Sequence, residues 1–165
     1  MATQAPLHDT QRQMLRHTVA TLAYRGAKAV RGAPAHFAEF HASEKTRTPI
    51  QLLAHLGDLL DWALSMAQGK EEWNNSPHLD WDAGIQRFHA SLEAFDAYLA
   101  SGQPLHVPAE KLFQGPIADA LTHVGQLTML RRLAGAPIRG ENYFKADIAA
   151  GRVGVEQKVP AREFD

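Results

Sequence analysis

Apolar side chains recur at helical spacing in four stretches of this chain, separated by turn-forming residues. In the first, Leu15, Thr18, Val19, Leu22, Ala23 and Gly26 form a stripe. Asp9 or Thr10 is placed to cap its start, and Thr10-x-x-Gln13 fits a capping box. The alanines and glycines of residues 20–30 suit close approach to a neighbour. Gly32-Ala33-Pro34 ends the stretch, and residues 35–47 read as a connector with room for a turn of helix near Phe37. The second stretch opens on Thr48-Pro49-Ile50-Gln51: a capping threonine, proline at the first position and glutamine at the third. It runs to about Gln68, with Gly69 as its stop. Leu52, Leu53, Leu56, Leu59, Leu60, Ala63 and Leu64 cover most of its circumference, so it must be packed on more than one side.

A polar loop holding Trp73, Asn74, Asn75 and Pro77 follows, and Asp80 or Asp82 caps the third stretch. There Trp81, Ile85, Phe88, Leu92, Phe95 and Leu99 alternate four and three apart, a seam that belongs in a core. Residues 105–113 read as a second connector. Pro116, at a first-turn position, then opens a helix to Leu133 with Ile117, Leu121, Val124 and Thr128 along one face. Glycines 135, 140, 151 and 154 punctuate the remaining thirty or so residues, where one short helix from about Tyr143 to Ala149 is expected. Four helices of about 20 residues, each about 30 Å long, make an all-α four-helix bundle with long connections. The expected organisation is a single domain over residues 1–165: a core of about 10–134 and a C-terminal tail, 135–165, packed on the bundle.

Composition narrows the chemistry. Apolar residues make up 45% of the 165 and charged residues 21%, an ordinary balance for a globular domain. A net charge of -1 leaves no basic excess for phosphates, which argues against nucleic acid as a partner. There is no cysteine, so any metal site must use His, Asp or Glu. Residues 1–6 carry no basic region leading into an apolar run. The most apolar region, residues 50–66, is broken by His55, Asp58 and Asp61 and cannot span a membrane. A cytoplasmic location is expected.

The ionisable residues central to strongly apolar helices are His55 and Asp58 on the second and Asp119 and His123 on the fourth. Each pair shares a helix face, three or four residues apart. Burying four such groups without partners would cost several kcal/mol, so they meet either one another or a divalent ion. His17 sits beside its stripe and reads as a surface or half-buried histidine; His36 and His41 have no partner at useful spacing; His89 flanks the aromatic seam as a weaker ligand candidate.

From about Leu15 to Ala134 the chain resembles the DinB-like (YfiT-like) superfamily of metal-binding four-helix bundles. The resemblance rests on Leu52-Leu-Ala-His55-Leu and on Thr122-His123-Val-Gly-Gln126-Leu, which is similar to the family's H-x-x-x-H-x-G-Q-[IL] signature and is followed by a basic Leu-Arg-Arg end. It implies a divalent ion held by His55, by His123 and by Asp119, which stands where the family usually has histidine. Zinc or nickel suits two imidazoles and a carboxylate, and iron or manganese is compatible because no soft ligand is present. Asp58 is then the expected partner orienting His55, with Gln126 and Glu141 as further supporting groups or alternative ligands. The resemblance further implies an enzyme of transferase or isomerase type using a low-molecular-weight thiol, as in the mycothiol-dependent isomerases and bacillithiol transferases. The competing readings are a non-catalytic bundle with a polar core cluster that binds a small ligand or a partner, and a metal-dependent hydrolase with Asp58 or Glu141 as base. The Ala/Gly-rich first helix and the all-round apolar second one suggest a homodimer. Glu141, Asn142 and Tyr143, so soon after the fourth helix, suggest a tail that packs over an end of the bundle near the site.

Overall fold

A computed structural model describes residues 7–164. Its elements are α1 (Leu7–Val30), α2 (Pro49–Ala67), α3 (Trp81–Ala100), α4 (Ala109–Leu112) and α5 (Ala118–Leu133), with β1 (Gly140–Glu141) pairing antiparallel to β2 (Glu163–Phe164). A π-helical turn, Phe113–Ile117, joins α4 to α5, so the two form one rod and the fold is an all-α bundle of four rods. α2 packs on α3 and α5, and α1 packs on the same two, which sets the cyclic order α1–α3–α2–α5. α1 therefore lies across the bundle from α2.

The expected caps hold for α2 and α3. Thr48 and Gln51 form the reciprocal capping box, the Asp80 carboxylate accepts from Ala83 N–H, and Gly69 takes the left-handed φ of 81° that ends α2. Two boundaries differ from expectation. α1 begins at Leu7, which leaves Asp9 in its first turn rather than at its cap. The fourth rod begins at Ala109, not Pro116, and absorbs half of the expected connector. Proline has no N–H to donate and its ring crowds the carbonyl four residues back. The wide turn accommodates it, with Ala118 N–H reaching back five residues to the Phe113 carbonyl. The expectation for residues 1–6 lies outside the described residues. Among the described residues no helix is long and apolar enough to cross a membrane.

The core contains the aromatic seam of α3 (Phe88, Phe95 and Leu99 at 1% exposure or less), the leucines of α2, and Val19, Leu22 and Ala23 of α1. The small residues of α1 and the apolar circumference of α2, which suggested a second copy, are thus covered within one chain. At the end of α1, where Gly32 takes a left-handed φ of 61°, Arg131 of α5 donates to the carbonyls of Ala29, Arg31 and Gly32.

The tail departs furthest from expectation. In place of a helix over residues 143–149 there is a single 3₁₀ turn, Tyr143–Lys145, and the β1–β2 pair. The tail runs along α1, not near His55. Glu141 accepts from the Tyr24 hydroxyl (2.6 Å) and from Lys28 Nζ (2.7 Å), and Lys28 also meets Glu163 of β2 at 3.0 Å. Farther along, the Val153 carbonyl lies 3.0 Å from His89 Nδ1 of α3. A lysine buried on α1 needs a carboxylate, and the acid that answers it belongs to the tail.

Two consequences are measurable. A methyl at Gly26 would sit 2.5 and 2.7 Å from ring carbons of Phe88. Alanine gains about 1 kcal/mol over glycine inside a helix, but overpacking costs about 1–3 kcal/mol. Gly26→Ala is therefore expected to lower the urea midpoint, and an unchanged or higher midpoint would contradict the close contact. The second concerns Glu141. Burial and then the bond to Glu141 push the Tyr24 hydroxyl well above its usual value. For Lys28 burial opposes the ammonium, but the bonds to Glu141 and Glu163 outweigh it and the net shift is upward. Both raised values stabilise the fold below about pH 10, and that contribution is lost as pH climbs through them. Glu141→Ala is expected to cost about 3 kcal/mol, the lower end for a broken buried pair because Glu163 still meets Lys28. Thermal unfolding at neutral pH checks this.

Candidate metal centre

α2 and α5 are neighbours, and the N-terminal half of α2 faces the opening turns of α5. His55, in the second turn of α2, lies with its Nε2 3.9 Å from Asp119 Oδ2. His123, one turn after Asp119 on α5, places its Nε2 3.4 Å from Asp119 Oδ1. The two imidazoles stand edge to face, 4.6 Å between ring centres and 86° between planes. One nitrogen from each ring and one carboxylate oxygen lie within 4.8 Å of one another, and these three residues are a possible metal-binding group. Ligand atoms about 2.0–2.1 Å from a tetrahedral zinc are about 3.3–3.4 Å apart, so the His123–Asp119 separation already suits one ion, while His55, nearest the other carboxylate oxygen, has to move closer to share it.

The hydrogen bonding of His123 and the environment of His55 suit ligation as well. His123 Nδ1 lies 3.0 Å from Gln126 Oε1, which can only accept, so Nδ1 is the donor and Nε2, on the Asp119 side, is the nitrogen left to face an ion. Burial, then the charge of Arg47 and the nearness of His123, hold His55 below the ordinary histidine value, despite the opposing pull of Asp119 and Asp58. A neutral imidazole has no proton to displace when a cation arrives. The donor set and its hydrogen bonding fit a divalent ion. Asp119 remains 49% exposed, so the group opens to solvent on the carboxylate side.

Asp58 and Glu141 do not play the parts expected of them. The Asp58 carboxylate accepts from Arg87 (2.7 Å) and from Ser76 N–H (3.0 Å), not from His55. The reason is local. Gly57 leaves room for the guanidinium of Arg87, which lies 2.6 Å from where a Cβ would be and also reaches the Ala54 carbonyl and Asp61. Asp58 instead anchors the loop between α2 and α3. That loop, held further by Ser65 to Glu72, sets Trp73 edge-on to His55 (5.7 Å) and to Trp62 (5.7 Å). Glu141 is on the tail against α1, bound to Tyr24 and Lys28. Of the three expected supporting groups only Gln126 touches a candidate ligand.

An open cleft of about 590 Å³ borders His123 and Gln126. Leu52, Met129 and Leu130 form its apolar part, and Lys45, Thr46 and Arg47 its other wall. Trp73, Lys45 and Arg47 were not marked out by sequence, because loop residues have no periodicity to give them a direction. Among the other histidines, His17, His36 and His41 are exposed. His89 is buried and holds the tail through Val153, while its Nε2 has no partner among the described residues.

Gln126→Leu removes the acceptor that fixes the His123 tautomer while leaving all three candidate ligands in place. Loss of such an outer partner costs about 10–100-fold in metal affinity. Competition with a chromogenic chelator is expected to show that loss with helicity unchanged, and undiminished affinity would mean that Gln126 does not set the tautomer.

Comparison of the chain with models of known families, with curated proteins and with solved structures finds no match. The chemistry of the site is therefore read from its own side chains.

Proposed function

We propose that this protein is a divalent-metal-dependent enzyme acting with a small-molecule thiol, in a reaction of transferase or isomerase type, with His55, Asp119 and His123 holding the ion. The observation that carries this reading is the convergence of the three side chains within 4.8 Å, with one of them, His123, lining an open cleft. Three protein ligands leave positions for solvent or substrate, as catalytic sites do, whereas closed structural sites use four. Zinc and nickel suit the donor set best, with iron or manganese as the harder alternatives. Bound there, the ion would supply Lewis acidity that deprotonates a thiol near neutral pH and so provides the nucleophile.

The chain's own residues account for the rest. Gln126 bonds to the His123 ring at Nδ1, and Trp73, edge-on to both His55 and Trp62, packs against the His55 side. Asp119 brings the one negative charge of the set, at its solvent-facing edge. The resemblance of the His55 and His123 motifs to DinB-like proteins supports the thiol. A polar cluster serving only the core would bury its carboxylate, and Asp119 is half exposed. Hydrolysis with Asp58 or Glu141 as base is disfavoured because both are committed to cationic partners elsewhere.

Elemental analysis of protein purified without a metal-affinity tag is the test. About one divalent ion per chain is expected, lost in His123→Ala with the helical circular dichroism retained. A folded parent that takes up none of zinc, nickel, iron or manganese, or a His123→Ala variant with unchanged metal content, would overturn the proposal.

A further inference from the structure

The wall of the cleft opposite the apolar side is built from Lys45 and Arg47, and the lining contains no carboxylate. By contrast Arg16 is paired with Asp96, Lys28 with Glu141 and Arg87 with Asp58. Lys45 and Arg47 have no ion-pair or hydrogen-bond partner among the described residues. The charge of Arg47 is felt at His55, so this wall is close to the candidate ligands. A divalent ion with two neutral imidazoles and one carboxylate keeps an excess of one positive charge, to which these two side chains add. A molecule bringing negative charge is favoured there, and a cationic one is repelled.

The start of α2 follows Arg47 directly, but its amides are not free to bind an anion. Thr48 N–H donates to Gln51 Oε1, Gln51 N–H to Thr48 Oγ1, and Ile50 N–H to the Ala38 carbonyl. The helix contributes its field, and the contacts have to come from the side chains. Arginine offers a planar fork matched to an oxyanion and lysine a point charge beside it.

We propose that the small molecule used at this centre carries an oxyanion, a carboxylate or a phosphate ester, which Lys45 and Arg47 hold while its other end meets the ion. This rests on the metal-dependent thiol reading above and adds the class of thiol. The apolar part of the cleft, Leu52 and Met129, accommodates the short carbon linker between the two ends.

The test compares three thiols on the cobalt-loaded protein, where thiolate ligation is seen in the cobalt charge-transfer absorption: 3-mercaptopropionate, 2-mercaptoethyl phosphate and neutral 2-mercaptoethanol. At least one of the two anionic thiols is expected to bind about tenfold tighter than the neutral one, in line with a charge-assisted hydrogen bond, and the tighter of the two identifies the oxyanion. In a Lys45→Gln/Arg47→Gln double variant the preference is expected to vanish, with cobalt content and 2-mercaptoethanol affinity unchanged. Equal affinities in the parent, or a preference that survives in the double variant, would overturn the oxyanion proposal and leave the metal reading standing. No cobalt uptake, or cobalt bound with no response to any thiol, would sink the reading beneath it, and both would fall together.

Discussion

Polar groups on the inner faces of two packed helices must find partners, because water cannot reach them freely and unpaired burial is expensive. On α2 and α5 that requirement falls on His55 and His123, and the half-exposed carboxylate of Asp119 answers both. The cyclic order of the bundle sets these two helices side by side, so that the imidazole of one meets the carboxylate and imidazole of the other. Were α2 packed across from α5, as it is from α1, the three could not converge. The α4–α5 rod contributes through its π turn, which lets a proline lie within it just before Asp119 and packs that turn against α2.

The supporting interactions divide between two sides of the bundle. On the α2 side, Arg87 and Asp58 pin α3 to α2 and tie down the loop that brings Trp73 to His55. On the α1 side, Tyr24 and Lys28 hold Glu141, and His89 holds Val153, which fastens the tail away from the candidate ligands. The tail therefore acts on stability, and the α2–α3 loop acts on the site. That separation is why Glu141 and Asp58, both plausible helpers by sequence, are removed from the chemistry in different ways. One is drawn off by a buried lysine and the other by a guanidinium threaded over Gly57.

Much of the bundle was legible because helix periodicity and capping chemistry are local. Thr48 with Gln51, Asp80, and the alternation from Trp81 to Leu99 each carry their structural consequence within a few residues. The candidate ligands were legible for the same reason: a spacing of four fixes Asp119 and His123 on one face, and an apolar helix makes His55 conspicuous. What could not be read depended on contacts distant in sequence. Pro116 looked like a helix start, since nothing local shows that α4 precedes it. Asp58 looked like the partner of His55, since the competing Arg87 is 29 residues away. The tail strands are 23 residues apart, too short and too far separated to leave an alternating pattern.

The account's central claim is that one ion takes its protein ligands from α2 and α5 together. Extended X-ray absorption fine structure of the zinc-loaded protein addresses it directly, with Asp119→Ala as the control. Two imidazole nitrogens and at least one oxygen at zinc–ligand distance are expected in the parent, with the carboxylate oxygen lost from the variant. A zinc shell of three or four imidazoles, which these residues cannot supply, or a spectrum unchanged by Asp119→Ala, would contradict it.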